Sequence, residues 1–247
     1  DEFSVPFTSV SILLGLNLFL IKLLPEPSAA VYKNISPLIT QKVDPAKLGK
    51  IPLFGEKINI FSIIKSVRFL LILSFVSQYS LMLFEATFSL HAKYFTGFGT
   101  FELGIIFSVC GGVMGIVQSF FIGNLIDKKG ENVLMPVGFL LTAVGILALM
   151  IFKDFFLILL SVTILSIGIS AITPSLSSLI SKKFPHHTGS ALGVQNSVDN
   201  LGKGFGAILG GMLFALNIHL PFLSASLFLL VIGISLLKNY HSVSKKA

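Results

Sequence analysis

Four stretches of this chain contain no Asp, Glu, Lys or Arg: residues 103–126, 132–152, 155–181 and 204–237. No other feature limits the fold as strongly. A helix needs about 20 mainly apolar residues to cross the hydrocarbon core of a bilayer, and each stretch is long enough for one crossing. Inside lipid every backbone N–H and C=O must be satisfied internally, so such segments span as α-helices or not at all, closed barrels aside. The apolar residues come in long blocks, with none of the short alternation that a barrel strand would carry. Composition agrees. The 247 residues are 53% hydrophobic and 12% charged, about half the charged share of a soluble domain. The fold class that follows is an all-α polytopic membrane protein.

The blocks predict spans at 3–22, 67–91, 103–124, 133–152, 155–180, 188–215 and 219–237. The chain then divides into a leading transmembrane helix (1–24), a connector (25–66), a six-helix bundle (67–237) and a tail (238–247). The connector carries Pro25, Pro27, Pro37, Pro45 and Pro52 among many lysines and has no long apolar run. It reads as a solvated link. The leading run follows Asp1 and Glu2, lacks the basic start of a signal peptide, and reads as a span whose upstream neighbours are missing.

Placing the connector in the cytoplasm and alternating sides puts fifteen of the eighteen Lys and Arg residues on the cytoplasmic side. Lys93 and Lys153 fall outside, and Lys203 lies within a span. The positive-inside rule then expects a cytoplasmic C-terminus. It also accounts for the basic balance without nucleic acid as a partner. Cys110 is the sole cysteine, so no internal disulfide and no cysteine metal cluster can form. There is no nucleophile motif, no carboxylate pair at helical spacing and no His/Cys metal pattern, so neither an enzyme nor a cofactor is expected.

One gap between spans is unusually charged: "GNLIDKKGEN", Gly123 to Asn132. Its first eight residues match the G-x-x-x-D-[KR]-x-G loop of the major facilitator superfamily, found between helices two and three and, in degenerate form, between eight and nine. Gly123 would allow close helix approach. Asp127 would pair with a helix N-terminus or a basic side chain. Lys128 and Lys129 would hold the anionic cytoplasmic face, and Gly130 would permit the turn. "LMLFEATFSLHAKYF" (81–95) resembles helix seven of the drug:proton antiporter branch, which includes Gram-positive multidrug exporters. "GISAITPSLSSLI" (168–180) resembles helix ten, "GSALGVQNSVDNLGKGFGAILGGMLF" (189–214) helix eleven, and "LLPEP" the end of helix six. The resemblance implies a major facilitator six-helix C-terminal bundle preceded by one extra span and a cytoplasmic connector. The family pairs two such bundles around a central cavity, so an N-terminal six-helix half, fused or separate, is an expected partner. It implies residence in the cell membrane, with the lipid bilayer, a small-molecule substrate and protons as the other partners.

Within the predicted bundle only Glu85, Asp199 and Lys203 are charged at membrane depth. Such residues are expensive there and face a cavity or a partner. Ser74, Gln78, Glu85 and Ser89 lie within about a 60° arc of one helix. A carboxyl in that stripe could carry a proton or attract a lipophilic cation, and the resemblance implicates the glutamate of the "FE" pair in such exchange. Gln195, Asn196, Asp199, Asn200 and Lys203 cover about 140° of another helix, with Asp199 and Lys203 four apart and able to pair. Thr163, Ser166, Ser170, Thr173, Ser177 and Ser181 share about an 80° arc of a third. From these we expect a proton-coupling and substrate cavity formed by Glu85, Gln78, Asp199, Lys203, Asn196, Gln195, Ser170 and Thr173. Pro174 is expected to bend its helix. Gly202, Gly206 and Gly210 form a ladder suited to close helix packing.

The expected function is proton-coupled efflux of small amphipathic or drug-like compounds by alternating access. Two alternatives stay open: transport of another solute such as a sugar, organic acid or peptide, and a transport-inactive half acting as an assembly partner. An anion carrier would want arginine in its cavity, and the only one, Arg68, falls at a helix end.

Overall fold

Long apolar blocks separated by short polar links force a sequence of long helices, and the computed structural model contains them. It describes residues 60–244, with side chains described to Lys238. The expected leading span, most of the connector and the last residues of the tail lie outside the described residues. Six helices follow one another: α1 (Ile60–Phe95), α2 (Thr100–Lys129), α3 (Glu131–Ile151), α4 (Phe155–Lys183), α5 (Thr188–Leu216) and α6 (Leu220–Ser244). There is no strand among the described residues. All except α5 are long and apolar enough to cross a membrane, taking α6 over Leu220–Lys238. The α5 helix has the length, but its polar run from Gln195 to Lys203 lowers its apolar content.

Three boundaries differ from the sequence reading, one of them the end of α6, which runs to Ser244 into the expected tail. First, α1 starts at Ile60, so the end of the expected connector is helical. Val67 interrupts the helix with φ −116° and ψ 17°, at the point where the sequence reading begins the first span of the six-helix bundle. Second, the GNLIDKK segment forms no loop. It continues α2 as helix through Lys129, after a π-helical stretch at Val117–Ile122. These residues satisfy their backbone groups by helix, and only Gly130, at φ +76°, breaks it.

The helices pack as a bundle. The α1 helix packs chiefly against α5, while α3 packs against α4 and α6 and α2 lies against α4. Glycines set the closest approaches. A Cβ on Gly206 would lie 2.5 Å from the Tyr79 carbonyl oxygen, and one on Gly202 2.7 Å from that of Phe75. The predicted ladder is therefore the α1–α5 contact surface. A second glycine contact joins α3 and α4, where Gly168 meets the Thr142 backbone and Gly138 meets the Gly168 carbonyl. Gly123, by contrast, has nothing within 4 Å of a would-be Cβ. It mediates no close approach among the described residues.

The two ends of the bundle have different chemistry. One end gathers Ser66, Glu131, Lys182 and Lys183: Lys183 donates to the Ser66 carbonyl, and Lys182 pairs with Glu131 at 2.5 Å. The other end is aromatic. Phe98 packs edge-on against Phe155, Lys153 lies over the Phe95 ring at 4.6 Å, and His91 meets His219 at 3.4 Å. The two histidines, which have no visible partner in the sequence, are each other's partner across α1 and α6.

Candidate functional site

The polar stripes of α1, α4 and α5 meet. Ser74 is buried on α1 and donates to Asp199 Oδ1 of α5 at 2.5 Å. Gln195, one helical turn before Asp199, donates through Nε2 to Ser74 Oγ at 3.3 Å. Its other amide atom, Oε1, accepts from Ser177 of α4 at 3.2 Å. A turn further along α1, Gln78 Nε2 reaches Thr173 Oγ1 of α4 at 3.5 Å. Three helices are thereby tied by side-chain hydrogen bonds. Buried polar groups are costly when unbonded, and this network leaves none of these residues without a partner. Asp199 and Gln195 are 7% and 2% exposed.

The wide polar face of α5 is split by this packing. Gln195 and Asp199 turn towards α1 and are buried, whereas Asn196 and Lys203 are exposed. Asp199 and Lys203 form no ion pair within 4 Å; Asp199 is held by Ser74 instead. The expected pair is replaced because the α1 hydroxyl approaches Asp199 from the buried side. Glu85 is exposed on α1 and has no hydrogen bond or ion pair among the described residues.

Ser170 is not part of this cluster. It is completely buried and donates to the Ser166 carbonyl of its own helix at 2.6 Å. Ser166 in turn donates to Cys110 Sγ of α2 at 3.3 Å. The helix-four hydroxyls therefore divide between internal packing and the network. Pro174 sits within the continuous α4 helix.

The charged end of α2 is also rearranged. Asp127 is exposed and makes no hydrogen bond or ion pair among the described residues. The engaged carboxylate is Glu131, at the start of α3, 7% exposed and accepting from both Ser178 (2.6 Å) and Lys182 (2.5 Å). Glu131 was missed in the sequence because it lies beyond the matched motif. The available signal was a carboxylate in the first turn of an apolar helix, directly after a glycine stop. Ser74 and Ser177 were visible as members of polar arcs, but nothing in one dimension pairs residues 74 and 199.

Comparison with known proteins agrees with this architecture. The chain is 28% identical over 165 residues to Multidrug resistance protein 2 of Bacillus subtilis, covering 67% of this chain and 41% of that protein. It is 28% identical over 178 residues to Multidrug resistance protein 1 of the same organism, covering 72% and 45%. It is 25% identical over 197 residues to Quinolone resistance protein NorA of Staphylococcus aureus, covering 79% and 46%. The chain thus spans less than half the length of these relatives. The model of the Major Facilitator Superfamily matches residues 70–247, which takes in nearly all of the helices described above. The chain is a multi-pass membrane protein and belongs to the Major Facilitator Superfamily.

Proposed function

We propose that this chain is the C-terminal half of a proton-coupled exporter of small amphipathic compounds, working with an N-terminal six-helix half. The observation that carries the reading is Glu85. It is a carboxylate at membrane depth, exposed on the bundle and without a bonding partner among the described residues. A charge in that position is too costly to face lipid and belongs against a water-filled cavity or a partner. Such a carboxyl can hold either a proton or the positive end of a substrate. Competition for one site couples the two movements. The names of the relatives, which refer to multidrug and quinolone resistance, support a drug-like substrate.

The Ser74–Asp199–Gln195–Ser177 network serves as the rigid backing of this wall. Asp199 is already engaged, so Glu85 is the residue free to exchange partners. The clustering of Lys182, Lys183 and Lys128 at one end supports a cell-membrane orientation with that end in the cytoplasm.

The test is Glu85→Gln in the complete protein, with efflux driven by an imposed proton gradient. Gradient-driven transport should be lost while the protein reaches the membrane in normal amount. Unchanged efflux would remove Glu85 from the coupling step. The partner half is tested by sizing the native polypeptide with an antibody to "NYHSVSKKA". A band near twice the 26.7 kDa of this chain means a fused half, and a band at that mass means that this half exists alone, with dimerisation or loss of transport the next question.

A further inference from the structure

Two opposite charges, Glu85 and Lys203, are exposed on neighbouring helices of this bundle. Their relative height is set by the glycine ladder. Gly202 lies over Phe75, Gln78 and Tyr79; Gly206 lies over Tyr79, Met82 and Leu83; Gly210 lies over Leu83 and Thr87. The α1 and α5 helices therefore run parallel, in step. Lys203, next to Gly202, stands level with Gln78 and Tyr79, and Glu85 is nearly two turns further along α1. Both side chains are exposed. Yet no ion pair within 4 Å joins them. The two charges are held apart, not closed into a salt bridge.

Of the other charged side chains on these two helices, Lys65, Arg68 and Lys93 lie towards the ends of α1, and Asp199 is buried and bonded to Ser74, so Glu85 and Lys203 are the exposed charges at membrane depth. Beside Glu85 on α1 are Met82, half-buried and packed near Gly206, and Ala86, exposed. The face thus offers one anion, one cation and an apolar strip beside the anion.

Like charges set against each other are a strong means of rejection. A simple cation drawn to Glu85 meets the Lys203 ammonium. A simple anion drawn to Lys203 meets Glu85. A molecule carrying an acid and a base at opposite ends of an apolar body meets neither conflict and satisfies both groups.

We propose that this wall selects amphipathic zwitterions, with Lys203 binding the acidic group and Glu85 the basic group of one molecule. The proposal rests on the transport reading above and narrows its substrate class. Lys203 is then the specificity-determining residue, and its removal converts the wall to a cation site.

The experiment uses a matched dye pair, tetramethylrhodamine, a zwitterion at neutral pH, and its methyl ester, a cation of nearly the same shape. Binding is followed by fluorescence anisotropy on the purified native full-length protein, and uptake in inverted vesicles from the same preparation. The parent protein should bind the zwitterion in preference to the ester. Lys203→Gln should lower that preference about tenfold, the loss expected for one charge-assisted hydrogen bond, and Lys203→Arg should retain it. An unchanged ratio in Lys203→Gln, a parent that prefers the ester, or an arginine variant that behaves like the glutamine one would each overturn the proposal. The failure of the transport reading looks different: zwitterion binding that depends on Lys203, with no gradient-dependent uptake of either dye.

Discussion

Two polar regions share the α1–α5 contact, and they are built on opposite terms. In the first, Ser74, Asp199, Gln195 and Ser177 are closed into hydrogen bonds and shielded from solvent. In the second, Glu85, Lys203 and Asn196 are exposed. Both contain a carboxylate on a membrane-depth helix, yet one is a fastener and the other is free. The difference shows that polarity at membrane depth does not by itself mark a binding site. A buried polar group must find its partner in the protein, whereas an exposed charge in a spanning helix is left for water, ligand or another bundle.

This contrast makes an ordered set of predictions for stability and transport. The largest concerns the contact that creates both regions. Gly206→Val would drive a side chain into the Tyr79 carbonyl, 2.5 Å from the Cβ position. Backbone on both sides cannot yield easily, so a loss of about 3 kcal/mol is expected, read as a lowered melting temperature in detergent. A variant that melts with the parent would break the picture of a tight α1–α5 contact.

Next comes Asp199→Ala, which leaves the Ser74 hydroxyl without its acceptor and should cost about 2 kcal/mol. Asp199→Asn keeps an acceptor oxygen and should cost clearly less. Equal losses for the two would argue that the charge, not the hydrogen bond, is what matters. Glu131→Ala should be smaller again, about 1 kcal/mol, because its partner Lys182 is 65% exposed and largely screened. The smallest stability effects belong to the exposed carboxylates. Glu85→Gln and Asp127→Asn should each stay within about 0.5 kcal/mol of the parent, although Glu85→Gln should abolish gradient-driven transport. A melting-temperature drop in Glu85→Gln as large as that of Asp199→Ala would erase the distinction between the two regions.

Part of this architecture was legible without coordinates, and the reason differs from element to element. The helices after residue 100 were placed with most of their starts within a few residues, because uncharged blocks bounded by Lys, Asp, Glu or Gly leave the chain little choice, although α2 and α6 run on past their expected ends. Gly130 was expected to turn because it closes the matched motif and glycine reaches positive φ without strain. The glycine ladder on α5 was identified because spacing by four places small residues on one face. The GNLIDKK segment was misread as a loop because charge in a short gap looks the same whether the backbone is helical or not. Asp127 was favoured over Glu131 because a motif draws attention to its own members.

The sequence by itself determined that this chain forms long apolar helices, where most of them begin and end, and which residues share an arc on each. That information is local, since the position of a residue around its own helix follows from a fixed turn of about 100°. Only the tertiary structure decided which arc meets which. It joined Ser74 to Asp199 across 125 residues and His91 to His219 across 128. It also split one polar face of α5 into a buried half and an open half. Periodicity gives the angle of a side chain, but packing decides whether that angle points at a neighbour or at open space. That choice separates the fastened Asp199 from the free Glu85.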